Sequence, residues 1–260
     1  MSNTRMPVIF SGHGSPMLAL EDTKVTRGLQ SLGKQIIMKF GKPKAILAVS
    51  AHWYTKGTFV QSTALPRQVY DMYGFPQELY RFKYPAKGSF TLTHRVLSLM
   101  GDKVSVNNKW GIDHGTWTVL CHIFPNADVP VVQLSVDATL AKEELYGIGR
   151  SLSPLRDEGY LIFASGNVVH NLMRVDWENA NGSPECIAFN DAITGYVLAR
   201  NDKAVMEYES VPNAAYAVPT PEHYLPLIYM LGAAENETPT VFNDHCELGA
   251  IAMTGYAFGM

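Results

Sequence analysis

The 260-residue sequence is short of permanent charge. Asp, Glu, Lys and Arg make up 17% of it, against roughly 25% in an average soluble chain. Its 21 basic and 24 acidic residues leave a net charge of −3. The basic surplus that releases counterions from nucleic acid is missing, which excludes that class of partner. Cysteine is scarce too. Cys121, Cys186 and Cys246 are odd in number and far apart, which fits neither a disulfide framework nor a zinc knuckle and points to reduced thiols in a cytoplasm. No apolar run approaches the ~20 residues of a membrane span. The stretch from Met1 to Pro7 lacks the apolar core of a secretion signal. Gly-x-Ser-x-Gly and His-Glu-x-x-His are absent, and Gly12-His13-Gly14-Ser15 continues into neither a dinucleotide fingerprint nor a P-loop.

What is present is a 47% hydrophobic chain, long enough to bury a full core without staples. No repeat, low-complexity stretch or Pro/Gly/Ser-rich linker divides it, so residues 1–260 read as a single domain. Short apolar runs at Pro7–Phe10, Ala45–Ser50, Val129–Ser135, Leu161–Ser165 and Ala250–Ala257 read as strands. The first four are nearly continuous in apolar residues, as suits strands covered on both faces. Helices are expected over Glu21–Phe40, Phe90–Met100, Trp117–Phe124, Ala141–Asp157, Pro184–Arg200 and Pro221–Ala234. The last has Thr220 as a cap and Pro221 in its first turn. This alternation predicts an α/β fold with a central, mostly parallel or mixed sheet flanked by helices. Between Thr55 and Gly88, Tyr, Phe and Pro are frequent without a period. We read a long aromatic loop of the kind that often carries function.

Eight histidines offset the low charge. His13, His52 and His170 each follow a predicted strand, and His114 and His223 open predicted helices. Ligands of open α/β sheets bind beyond the carboxyl ends of the strands. One histidine there reads as a hydrogen-bonded structural residue; five at one edge read as a shared site. Neutral imidazole is a good ligand for zinc and Fe(II). A catalytic metal needs about three protein ligands and an open position, which leaves further histidines for acid–base work. Asp113 and Glu222, each beside a histidine, are open to three roles: ligand, orienting group or cap. His94 reads as a packing or surface residue, His122 as packed on its helix and His245 as exposed.

Five motifs carry a family resemblance: Gly12-His13-Gly14-Ser15-Pro16, Ser50-Ala51-His52-Trp53, Asp113-His114-Gly115-Thr116-Trp117, Ser165-Gly166-Asn167-Val168-Val169-His170-Asn171 and Pro221-Glu222-His223-Tyr224-Leu225-Pro226. In this order they resemble the class III extradiol ring-cleavage dioxygenases, and within them the 4,5-DOPA extradiol dioxygenase branch. The resemblance implies one divalent metal per chain at the carboxyl ends of the strands. His13, His52 and His223 match metal ligands. His170 matches a residue assigned as a further ligand or as the catalytic acid/base, and His114 matches a second catalytic histidine. The better-known members use two histidines and a glutamate, so Glu222 competes with His223 for the third position. Fe(II) is implied for ring cleavage, with Zn(II) as an ion an all-histidine site would also hold. The implied substrates are a small catechol, DOPA-like, and O2, with a semialdehyde product. Two rivals are a zinc-dependent hydrolase using the same histidines and a non-catalytic binding protein like those of the Memo family.

Overall fold

The computed structural model describes residues 5–260. In chain order its elements are β1 (Val8–Gly12), α1 (Lys24–Phe40), β2 (Ile46–Thr55), β3 (Phe59–Val60), α2 (Gln77–Arg81), α3 (Phe90–Met100), β4 (Ser105–Val106), α4 (His114–Ile123), β5 (Val131–Asp137), α5 (Lys142–Leu152), α6 (Pro154–Asp157) and β6 (Leu161–Gly166). There follow α7 (Pro184–Leu198), α8 (Asp202–Met206), α9 (Ala214–Ala217), α10 (Leu225–Ala234), β7 (Pro239–Phe242), β8 (Cys246–Glu247), β9 (Ile251–Ala252) and β10 (Gly255–Phe258).

An eight-stranded sheet runs β4-β3-β5-β2-β6-β1-β10-β7. Its centre, β5-β2-β6-β1, is parallel, while β3 meets β5, and β10 meets β1 and β7, antiparallel. Alternate residues feed two cores. Val8, Phe10, Leu47 and Val49 pack towards α3, α5, α7 and α10. Ile9, Ile46, Ala48 and Phe163 pack towards α1 and α4. Coverage of both faces is why these strands read as unbroken apolar runs. On α1 the stripe Val25, Leu29, Leu32 and Ile36 is buried, at the i, i+3, i+4 spacing of a one-faced helix. Thr23 and Thr26 close its start with reciprocal side-chain-to-backbone bonds of 3.3 and 2.9 Å.

Several expected boundaries move, each for a physical reason. The Ala141–Asp157 helix breaks between α5 and α6 at Pro154, whose ring cannot sit inside a helix without a clash one turn back. The Ala250–Ala257 strand is two strands: β9 pairs with β8 in a small separate sheet, and β10 joins the main one. The Pro221–Ala234 helix begins only at Leu225. Residues 221–224 form a turn in which the Pro221 carbonyl accepts from both Tyr224 and Leu225, and Pro226, not Pro221, occupies the first helical turn. The helix expected from Trp117 begins earlier, at His114, capped by Asp113. The aromatic loop is interrupted by β3 and α2. Among the described residues no helix is long and apolar enough to cross a membrane, and Cys121, Cys186 and Cys246 are buried and unpaired.

Candidate active site

The five singled-out histidines come together at the edge of the sheet formed by the carboxyl-terminal parts of β1, β2 and β6. His13 follows β1, where Gly14 takes a φ of 54° that few other residues adopt at low cost. His52 does not follow its strand: β2 runs on to Thr55, and its pairing with β5 slips between Ser50 and Tyr54. The resulting bulge aims His52 inward, a common use of bulges beside active sites. His170 lies four residues beyond β6. His114 is the first residue of α4, and His223 sits in the turn before α10. Ring centroids lie 4.9 Å apart for His13–His52, 5.2 Å for His13–His223, 5.0 Å for His52–His223 and 4.0 Å for His52–His114. His170 stacks flat on His223 at 3.5 Å. Gly115 makes room for this packing, since a Cβ there would stand 2.8 Å from the His52 ring and 3.1 Å from Ser165 Oγ.

The protons on these rings follow from their partners. Ser165 Oγ donates its single hydrogen to the Gly115 carbonyl, so at 2.8 Å from His13 it accepts the hydrogen bond of Nδ1–H. Asp71 takes His52 Nδ1–H at 2.9 Å on one oxygen and His114 Nδ1–H at 2.8 Å on the other. Glu222 takes His223 Nδ1–H at 3.3 Å. Each of the four rings therefore turns the lone pair of Nε2 inward. His13 Nε2 and His52 Nε2 face each other at 3.1 Å, which is repulsive between two lone pairs. His223 Nε2 is buried with no hydrogen-bond partner. Converging acceptors with an orphaned buried nitrogen fit a cation. Ligand atoms of two overlapping sets, His13–His170–His223 and His13–His52–His114, lie within 4.8 Å of one another. His13 offers one free nitrogen to both, so the geometry fits a single ion.

Asp113 and Glu222 resolve into supporting roles. Asp113 caps α4 and accepts from Ser50 Oγ at 2.7 Å, Trp110 Nε1 at 2.9 Å and Gln133 Nε2 at 2.7 Å, which uses up its lone pairs. Glu222 holds the rear of His223 and accepts from Thr220 Oγ1 at 2.7 Å. Thr220 therefore does not cap the helix. The other histidines lie elsewhere: His94 is exposed on α3, His122 bonds the Leu18 carbonyl at 2.8 Å, and His245 is half-buried rather than exposed. Asp71 and Ser165 escape sequence reasoning. Ser165 is the penultimate residue of β6, a strand of small and apolar residues, and Asp71 sits in the aperiodic loop. That loop is pinned by Trp117 Nε1 donating to the Val69 carbonyl at 2.9 Å and by the Tyr70 hydroxyl donating to the Phe82 carbonyl at 2.6 Å.

Burial and the mutual repulsion of neighbouring rings push the His223 pKa down to about 4 and that of His170 to about 2, and hold His13 well below 6.5. Burial also lowers His114 against the pull of Asp71. On His52 burial is outweighed by the bond to Asp71 and by the charges of Asp113, Asp71 and Glu222, and its pKa rises. Depressed histidines bind fewer protons folded than unfolded, so the stability they confer is complete above pH 6.5 and is lost as pH falls towards their folded values. At pH 5, His223 and His170 each cost about 2 kcal/mol relative to pH 7. The metal-free protein is expected to lose about 10 °C of Tm between pH 7 and pH 5. Calorimetry checks this, and a Tm independent of pH in that range would contradict it.

The histidines form the floor of a cavity of about 360 Å³, within the usual range for small-molecule sites. Met72, Tyr73 and Phe75 of the aromatic loop line one side, and Leu172, Val175 and Trp177 line another. The second wall, just after His170, carries no signal in the sequence.

Comparison with known proteins agrees with this architecture. A family model described as the catalytic LigB subunit of aromatic ring-opening dioxygenase matches residues 7–259. The chain is 41% identical to a 4,5-DOPA dioxygenase extradiol of Escherichia coli K12, covering 100% of this chain and 97% of that protein. It is 37% identical to one of Beta vulgaris, covering 96% and 95%. A crystal structure of an uncharacterized Escherichia coli K12 protein superposes with a TM-score of 0.84 at 38% identity, covering 98% of this chain and 100% of that one.

Proposed function

Because the chain belongs to the family of the catalytic LigB subunit of aromatic ring-opening dioxygenases, and so is an extradiol ring-cleaving enzyme, we propose that it opens small catechols with O2 at a single divalent metal. The observation that carries the reading is the set of inward Nε2 lone pairs, two of them 3.1 Å apart and one buried without a partner. His13, His52 and His223 hold the ion. When bound, it supplies a point of chelation for the two catechol oxygens and, as Fe(II), a route for electrons to O2. Fe(II) is the working metal, and Zn(II) binds the same imidazoles without that redox chemistry.

The remaining steps belong to the chain's own side chains. His170 is neutral at neutral pH and, among the described residues, no side chain holds its ring nitrogens; its depressed pKa makes it a weak base alone, so it takes a proton only from a catechol hydroxyl that a bound metal would acidify, and it returns that proton readily to the product. His114, oriented by Asp71, presents Nε2 to the substrate beside the ligands. Met72 and Phe75, both half-buried in the cavity wall, flank the aromatic ring. The ring opens between a hydroxylated and a neighbouring unhydroxylated carbon and yields a semialdehyde. A DOPA-like catechol is the substrate class suggested by the names of the relatives. The three buried free thiols support a reducing, cytoplasmic setting.

Protein loaded anaerobically with Fe(II) and mixed with a catechol panel is expected to form yellow semialdehyde only after oxygen is admitted, with one O2 consumed per catechol. Turnover at the same rate without oxygen would establish a hydrolase instead.

A further inference from the structure

Near their carboxyl ends the four parallel strands share one row of serines. Ser135 of β5 pairs with Ser50 of β2, Ser50 with Ser165 of β6, and Ser165 with Ser11 of β1. All four are fully buried. Residues two apart on a strand point to the same face. The row therefore shares the face of Ile9, Ala48 and Phe163, which is the face packed against α4.

Two of these hydroxyls join the sheet to the start of α4 and to a histidine. Ser165 reaches the Gly115 carbonyl and holds Nδ1 of His13. Ser50 makes a similar pair of bonds one strand over. Its hydroxyl donates to Asp113 Oδ1 at 2.7 Å. Asp113 is already the acceptor for Trp110 and Gln133, which sets the direction of that bond. The Ser50 oxygen then has only lone pairs to offer, and it accepts the backbone N–H of His52 at 3.3 Å. Pairing of β2 with β6 stops at Ser50, and pairing with β5 slips between Ser50 and Tyr54. His52 lies inside that slip, outside the regular ladder, and Ser50 supplies an acceptor for its amide.

We infer that Ser50 is a positioning residue for the metal ligand His52. It fixes the bulge that turns His52 inward, and through Asp113 it locks that bulge to the first turn of α4, which carries His114. The inference rests on the proposed metal reading. Ser50 does not line the cavity, so its effect on the site runs through the His52 backbone and the α4 cap. Ser165 orients a ligand by its ring, and Ser50 orients one by its main chain.

Calorimetric titration of the metal-free protein with Zn(II) tests this without turnover. Ser50→Ala removes both bonds and is expected to raise the Zn(II) dissociation constant about 10- to 100-fold, the range for groups that orient metal ligands. Ser50→Thr keeps the hydroxyl on a residue suited to a strand, and is expected to bind within about threefold of the unsubstituted protein. Circular dichroism verifies the fold of both. If Ser50→Ala does not fold, Ser50→Cys takes its place. A thiol fills similar space but is a weak acceptor, and a loss of about fivefold or more is expected. A folded variant without the hydroxyl that binds Zn(II) as tightly as the unsubstituted protein, however far its Tm has fallen, overturns the inference and leaves the metal reading standing. A loss that Ser50→Thr shares in full traces the effect to strand packing and overturns it too. Failure of the unsubstituted protein to take up Zn(II) overturns the metal reading and the inference with it.

Discussion

His170→Ala is expected to lower kcat by about 10²- to 10⁴-fold, the usual loss for a general acid–base group, while the protein still binds one divalent ion. Two features separate His170 from the other four rings. Ser165, Asp71 and Glu222 tie Nδ1 of His13, His52, His114 and His223, and so dedicate those rings as donors behind and lone pairs in front. Among the described residues His170 has no such side-chain tether; it stacks on His223 and neighbours His13, and its hydrogen bond is to backbone. The paired control is His13→Ala, which removes the nitrogen shared by both candidate ligand sets and is expected to abolish metal binding. Steady-state kinetics and metal analysis on the two variants check this. Full activity of His170→Ala contradicts the acid–base role, and loss of its metal would make it a ligand.

The second large effect is expected at Asp71. Its two oxygens serve two Nδ1–H donors, and one of them also accepts the His114 backbone N–H at 3.1 Å. Asp71→Asn keeps size and shape but offers one oxygen and one NH2. Whichever ring meets the NH2 must carry its proton on Nε2, and it loses the lone pair aimed at the site. Groups that orient metal ligands typically cost 10–100-fold in metal affinity or activity when removed. If His52 is the ring that turns over, the dissociation constant for Zn(II) rises by that factor. If it is His114, kcat falls with the metal retained. Zinc titration together with kcat measurement separates the two, and a variant unchanged in both contradicts the positioning role. Because Asp71 lies in the loop that also lines the cavity, the substrate wall and the metal site are built by the same segment.

How much of this was legible in the sequence varies with the physics involved. The four central strands were readable because burial on both faces makes them continuous in apolar residues. The edge strands β4 and β7, and β3 beside β4, are only two to four residues long, and β4 is exposed, so they carry no such signal. Convergence of the five histidines follows from strand ends, a rule of topology that needs only approximate boundaries. The bulge at His52 and the turn before α10 moved boundaries without moving the histidines. Asp71 was invisible because its role depends on distance, not periodicity: it lies 19 residues from His52 and 43 from His114 in a loop without regular spacing. Glu222 stands beside a histidine in sequence, and only the structure shows that it bonds Nδ1 of that histidine.

The central claim is that the histidine floor directs dioxygen into an aromatic ring. Running the Fe(II)-loaded reaction under 18O2 in unlabelled water tests it most directly, with the product analysed by mass spectrometry. Ring cleavage by a dioxygenase places one labelled oxygen in the new carboxylate of the semialdehyde. A ring-opened product whose carboxylate carries oxygen from water alone would contradict the account.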